Sequence, residues 1–154
     1  MASFTPCQTS RDLHGQHTQV FLQTFADRIL VLVTQMGKVG SLFQATLPDT
    51  ASLIPQSSDQ NHLLLPEPSP AIQLTPLFGS APSEHLQTLY SLYVSQIATI
   101  IWRHESQRGL ESSRRSVVVG LALSKLNSQE GEMRAEKEVF EGVMSMLHDL
   151  LQLE

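Results

Sequence analysis

Residues 28–36 read RILVLVTQM, followed by Gly37-Lys38-Val39-Gly40 and then SLFQATL at 41–47. The first run is compact and rich in β-branched residues, which marks a strand. Both of its faces are apolar: Ile29, Val31 and Val33 alternate with Leu30, Leu32 and Met36. A strand with no polar face has to be covered on both sides. The glycines at 37 and 40 accept positive φ and can turn the chain, so residues 41–47 are expected to fold back as a hairpin partner.

Working outward, residues 17–25 (HTQVFLQTF) alternate between polar and apolar, and Ala26-Asp27 allows a tight turn into the strand at 28. The expected arrangement is a three-strand meander. Seven of the eight prolines then fall between Pro48 and Pro82. Pro66, Pro68 and Pro70 remove amide donors and fix φ, so neither a helix interior nor a central strand can pass through them. Residues 48–70 are therefore predicted to be a Pro-rich disordered loop, and residues 1–14 a flexible tail.

Residues 71–78 (AIQLTPLF) read as a fourth strand, which Pro76 confines to an edge or a bulge. Ser80, with Pro82 in the first turn, opens a helix. Its stripe is Leu86, Leu89, Tyr90, Tyr93, Ile97, Ile100 and Ile101, fading near Glu105. A polar connector at 107–115 (QRGLESSRR) leads to SVVVGLALS at 116–124, again apolar on both faces. Asn127 and Glu130 have the spacing of an N-cap and its partner. The last helix runs to Leu151 with Val139, Val143, Met146, Leu147, Leu150 and Leu151 on one stripe. The expected fold is a single α+β domain spanning 1–154. It has an antiparallel sheet of about five to six strands and two main helices, in the order β-β-β-β-α-β-α.

Two helices can cover one face of such a sheet. The other face then needs a second subunit, or the loop regions of the same chain, to hide it.

Composition narrows the functional class. Fifteen acidic residues against ten basic ones lack the electrostatic footprint of a general nucleic-acid binder. The acidity is local: residues 125–154 carry three basic and seven acidic side chains. The lone Cys7 excludes an internal disulfide framework and a Cys-rich zinc module. No apolar run approaches a membrane span, and the N-terminal residues lack the apolar core of a secretory signal, so a soluble intracellular protein is expected.

Catalytic and metal-binding patterns are weak. His14 and His17 form H-x-x-H with Asp12 nearby, too few ligands for zinc, and His62, His85, His104 and His148 are scattered. GKVGS at 37–41 echoes a phosphate loop but fails its spacing and joins two strands. There is no G-x-S-x-G elbow, and Cys7 has no histidine fixed beside it. Neither a catalytic site, a metal nor a cofactor is expected. Arg114 and Arg115, with Arg103 and Arg108, form a small basic cluster, read either as a solvated loop or as a contact for an acidic partner surface.

The run His17-Thr18-Gln19-Val20, followed by ILVLVTQMGKVGSL at 29–42, resembles the proteasome assembly chaperone 3 family. That family has a similar T-Q-V strand and an I-L-V-x-V-T-Q-x-G-K-x-G run, with a later helix, apolar strand and amphipathic final helix. The loop at 48–70 and the connector at 105–115 are longer than in its short members. The resemblance implies a non-enzymatic assembly factor of the cytoplasm and nucleus, working as a homodimer or with a proteasome assembly chaperone 4-like subunit. Such a pair transiently binds proteasome α-subunits and promotes α-ring assembly, with neither nucleic acid nor membrane as partner. On that reading the partner-binding candidates are Val31 and Val33 or their opposite-face neighbours, together with Gln35, Gly37, Lys38 and Gly40 at the turn, and Arg114 and Arg115 in the connector. A small dimeric adaptor of a signalling or trafficking complex would share the same architecture.

Overall fold

A computed structural model describes residues 5–35, 37, 39–48, 50–51, 65–81, 83–107, 114–124 and 132–153. The elements are β1 (Cys7–Leu13), β2 (Gln16–Thr24), β3 (Arg28–Thr34), β4 (Ser41–Thr46), β5 (Gln73–Phe78), α1 (Glu84–Gln107), β6 (Ser116–Ala122) and α2 (Glu132–Gln152). They form one six-stranded sheet in the order β1-β2-β3-β6-β4-β5. The α+β class and the two long helices agree with the expectation.

The N-terminal stretch departs from it. Cys7–Leu13 is not a tail but an edge strand, antiparallel to β2 from Cys7↔Leu22 to Leu13↔Gln16. The two-residue turn His14-Gly15 holds both residues at positive φ, 50° and 75°, the backbone that suits a tight hairpin. The chain-interior signal for this strand is its alternation: Cys7, Thr9 and Leu13 face the core side, where α2 comes close enough that a Cβ on Gly142 would lie 2.8 Å from Leu13 Cδ2.

The meander also ends earlier than expected. β3 and β4 are not neighbours, because β6 lies between them, parallel to β3 and antiparallel to β4. The sheet is therefore mixed, with one parallel pair. The cause is visible in β6 itself, where Val117 through Ala122 are all buried. A strand with no polar face belongs at the centre of a sheet. The connection from β3 to β4 is thus a crossover past the end of β6 and not a hairpin turn. Gly40 makes the crossing possible: its φ is 69°, and a Cβ there would fall 2.1 Å from the Leu121 carbonyl oxygen. β5 sits at the other edge, with Pro76 beside a register shift at Leu42/Phe43, as its proline demands.

α1 starts later than Ser80. The Leu86 amide donates to Ser83 Oγ at 3.2 Å, so Ser83 is the N-cap. The Asn127–Glu130 cap and most of 48–70 lie outside the described residues. What is described of that stretch is tied down at both ends: the Ala51 amide donates to the Pro48 carbonyl at 3.0 Å, and Gln96 Nε2 donates to the Pro66 carbonyl at 2.8 Å.

Both helices pack on the same face of the sheet. α2 covers β1 and β2, while α1 covers β4, β5 and β6. The core between them joins Val20, Leu22, Val31, Val33, Val119 and Leu121 to Tyr93, Ile97, Trp102, Val143, Met146 and Leu147. Edge-to-face aromatic pairs lock each helix: Tyr90 on Phe43 at 6.4 Å, and Tyr93 on Phe140 at 4.9 Å between ring centroids. Burial pushes the Tyr93 phenol above its ordinary range, with the charge of Glu136 and then Tyr90 adding to the effect, so the ring stays neutral in this core.

Candidate interaction face and the elements that frame it

Strand alternation places every second residue on the face opposite the helices. Register then lines these residues into rows. Phe21 pairs with Leu32, Leu32 with Gly120, Gly120 with Leu42, and Leu42 with Phe78. This is one apolar row running across five of the six strands. The next row is Gln23, Leu30, Val118, Gln44 and Thr75, apolar at its centre and polar at its ends. Beyond Phe21 the face turns polar, with Gln8, Ser10, Gln19 and His17 on β1 and β2.

Exposure follows the same pattern. Phe78 is 68% exposed and Leu77 48%, while Phe21, Leu30, Leu32 and Leu42 are half-buried by one another. No helix among the described residues covers this face. A contiguous apolar strip bordered by polar residues is the usual form of a protein-interaction site.

Of the residues expected to meet a partner, Val31 and Val33 are 0% and 1% exposed beneath the helices. Parity runs the other way: the open face belongs to Leu30 and Leu32. Gln35 is a stitch between strands. Its backbone amide donates to the Ala122 carbonyl at 2.8 Å, its Oε1 accepts from the Ser124 amide at 2.8 Å, and its Nε2 donates to Thr18 Oγ1 at 3.0 Å. Gly37 is exposed at a φ of 68°, and Gly40 serves the crossing described above. Lys38 lies outside the described residues.

The two arginines are held within the chain. Arg114 donates to the carbonyls of Pro48, at 2.7 Å, and Ala51, closing the base of the Pro-rich stretch. Arg115 pairs with Glu105 and donates to the Phe25 carbonyl at 2.8 Å, and its own carbonyl accepts from Trp102 Nε1 at 2.9 Å. Sequence reading found the basic cluster but not these acceptors, which lie from 10 to 90 residues away in the chain.

His14 and His17 do not converge on a common point. His14 pairs with Glu138 of α2, and His17 Nδ1 lies 3.4 Å from Asp12. Among the described residues no cluster of three or more metal-capable side chains occurs, and no helix is long and apolar enough to cross a membrane.

The residues that sequence reading missed are Phe21, Leu42 and Phe78. Each is a large apolar group on an otherwise polar-alternating strand, and only the register shows that they fall into one row with Leu32.

The fold and this face define a class of small α+β proteins with both described helices on one side of a sheet and an apolar second side that neither helix covers. No family model and no curated protein matches the sequence. Eleven chains of solved structures do match in fold. One belongs to the crystal structure of a chaperone complex for yeast 20S proteasome assembly. It superposes with a TM-score of 0.52 at 13% sequence identity, over 93% of this chain and 98% of that one. The chain therefore shares the fold of a proteasome assembly chaperone.

Proposed function

We propose that this protein is a non-enzymatic chaperone of the cytoplasm and nucleus that promotes assembly of the 20S proteasome α-ring. It acts as a pair, with a proteasome assembly chaperone 4-like subunit or a second copy seated on the open sheet face, and the pair binds α-subunits transiently. The observation that carries this reading is the row Phe21–Leu32–Gly120–Leu42–Phe78 on a face that no described helix covers. The shared fold with a chain of a proteasome assembly complex, and the T-Q-V and GKVG resemblance, give the row its biological setting.

The size of the row bears on how tightly the pair can hold. At ~4.8 Å between strands it spans roughly 19 Å. A strip one or two residues deep then offers only a few hundred Å², below the ~800 Å² each partner buries in a stable complex. The polar neighbours Gln44, Thr46 and Thr75 share the interface, which suits a contact that forms and dissolves.

The test is affinity purification of the tagged full chain under native conditions, followed by quantitative mass spectrometry, with sedimentation of the pure protein at tens of micromolar. Recovery of proteasome α-subunits with a second small chaperone is the expected result. Recovery of signalling or trafficking proteins in their place would instead identify a dimeric adaptor.

A further inference from the structure

A second feature lies on the helix side of the molecule, away from the open sheet face. The last turns of α1 and α2 converge with residues 65–66 around a cleft of about 160 Å³. Its apolar wall is Ile100, Met144 and Leu151, and its polar wall is Arg103, His104 and His148. The spacings 100, 103, 104 and 144, 148, 151 place each set on one face of its helix.

Arg103 is the unusual member. Its Nε is buried and has no hydrogen-bond partner among the described residues. The other described arginines all have one: Arg11 on Asp149, Arg28 on Asp27, Arg114 on the Pro48 carbonyl, Arg115 on the Phe25 carbonyl and Arg134 on Glu138. Basic groups near helix C-termini offset the helix dipole, but that role is served by a solvated guanidinium and does not require a dehydrated Nε–H. Among the described residues no carboxylate lines the cleft.

From this we infer that the cleft is a docking site for a short acidic peptide segment of a partner protein. A Glu or Asp carboxylate would sit on the Arg103 guanidinium, and an adjoining aliphatic side chain would rest on Ile100, Met144 and Leu151. Charge complementarity selects the acid, because the guanidinium fork can donate two parallel hydrogen bonds to a carboxylate. Size selects a side chain over a cofactor. The volume is close to the ~150 Å³ that holds one benzene-sized group and falls below the ~300–1,000 Å³ of ordinary small-molecule sites.

The experiment is a titration of the ¹⁵N-labelled full chain with acetyl-Ala-Glu-Leu-Ala-amide, followed through the backbone amides of Arg103, Gln107 and Gln152. The Gln-for-Glu peptide and inorganic phosphate are run in parallel. Saturable shifts with the Glu peptide, at least tenfold weaker binding of the Gln peptide, and a similar loss in Arg103→Gln are expected. Should Arg103→Gln fail to fold, His148→Glu at an exposed position of α2 provides the second variant. Its added carboxylate should weaken the Glu peptide several-fold and leave the Gln peptide unchanged. Equal binding of the two peptides, phosphate binding as tightly as the Glu peptide, an unaffected His148→Glu variant, or no shift at millimolar peptide would each overturn the inference.

Discussion

Leu32 and Leu42 meet over Gly120. A Cβ at position 120 would lie 2.6 Å from Leu32 Cδ2 and 3.1 Å from Leu42 Cδ2, so the two leucines close a gap that the central strand leaves open by having no side chain. Three strands thereby present one continuous apolar surface, with Phe21 and Phe78 extending it on either side. The surface is built by the sheet itself and owes nothing to the helices, which close the core on the other side.

Phe78→Glu should separate folding from association. Phe78 is 68% exposed, so its replacement is expected to change the stability of the isolated chain by no more than about 0.5 kcal/mol. A charge at the end of the row should weaken pairing at least tenfold, read as a shift toward monomer in sedimentation or as loss of the co-purified small subunit. Val33→Glu is the contrasting change. With Val33 1% exposed under the helices, it places an unpaired carboxylate in the core and should prevent folding. If Phe78→Glu pairs normally, the row is not the interface.

Gly40 and Gly37 share nearly the same φ, 69° and 68°, but not the same surroundings. A Cβ on Gly37 meets nothing within 4 Å, whereas one on Gly40 would collide with the Leu121 carbonyl. Gly37→Ala should cost about 1–2 kcal/mol, the left-handed penalty alone. Gly40→Ala adds the clash and should cost roughly 2–4 kcal/mol. Urea denaturation of both variants measures the difference, and equal losses would mean that the crossover does not pass so close to β6.

Much of this fold could be read from the chain. The apolar runs at β3 and β6, the edge position forced by Pro76 and the stripes of both helices follow from local periodicity. Strand order did not. Whether β4 or β6 lies beside β3 depends on which has two apolar faces to bury, and that competition is settled only when all strands are compared. The parity of β3 escaped for the same reason: Ile29, Val31 and Val33 are as apolar as Leu30 and Leu32, so nothing local says which set the helices claim. β1 was hidden because CQTSRDL is largely polar, so that its alternation is faint and the His14-Gly15 turn is the other signal for it. The roles of Arg114, Arg115 and Gln35 rest on contacts with backbone carbonyls, side chains and an amide distant in sequence, which no motif encodes.

The Arg115–Glu105 pair links the end of α1 to the start of β6, with side chains 20% and 9% exposed. Arg115→Ala would remove the guanidinium that faces the Glu105 carboxylate in a largely dehydrated position and release the Phe25 carbonyl. A loss of roughly 2–4 kcal/mol is expected, somewhat under the range for fully buried pairs. Arg115→Ala combined with Glu105→Ala should recover part of it, since the carboxylate that faced the guanidinium is then gone as well. Chemical denaturation of the single and double variants tests this. A double variant as unstable as the sum of the singles would show that the two groups are not coupled.

Tyr93 gives the protein an alkaline limit. Its phenol is held above the ordinary value of 10.0 by burial first, then by Glu136 and Tyr90. The unfolded chain therefore loses this proton at lower pH than the folded one. The stabilisation is fully present below about pH 10 and drains away as pH rises through the folded-state value, at up to ~1.4 kcal/mol per pH unit. Tyr93→Phe keeps the ring and its 4.9 Å edge contact with Phe140 while removing the titrating proton. Ionisations elsewhere in the chain also fall in this range, so the informative quantity is the difference between the two proteins. Urea midpoints measured from pH 8 to 11 should diverge above pH 10, with the wild type falling faster. Parallel curves would mean that water reaches the phenol and that α1 and α2 pack less tightly around it than the structure shows.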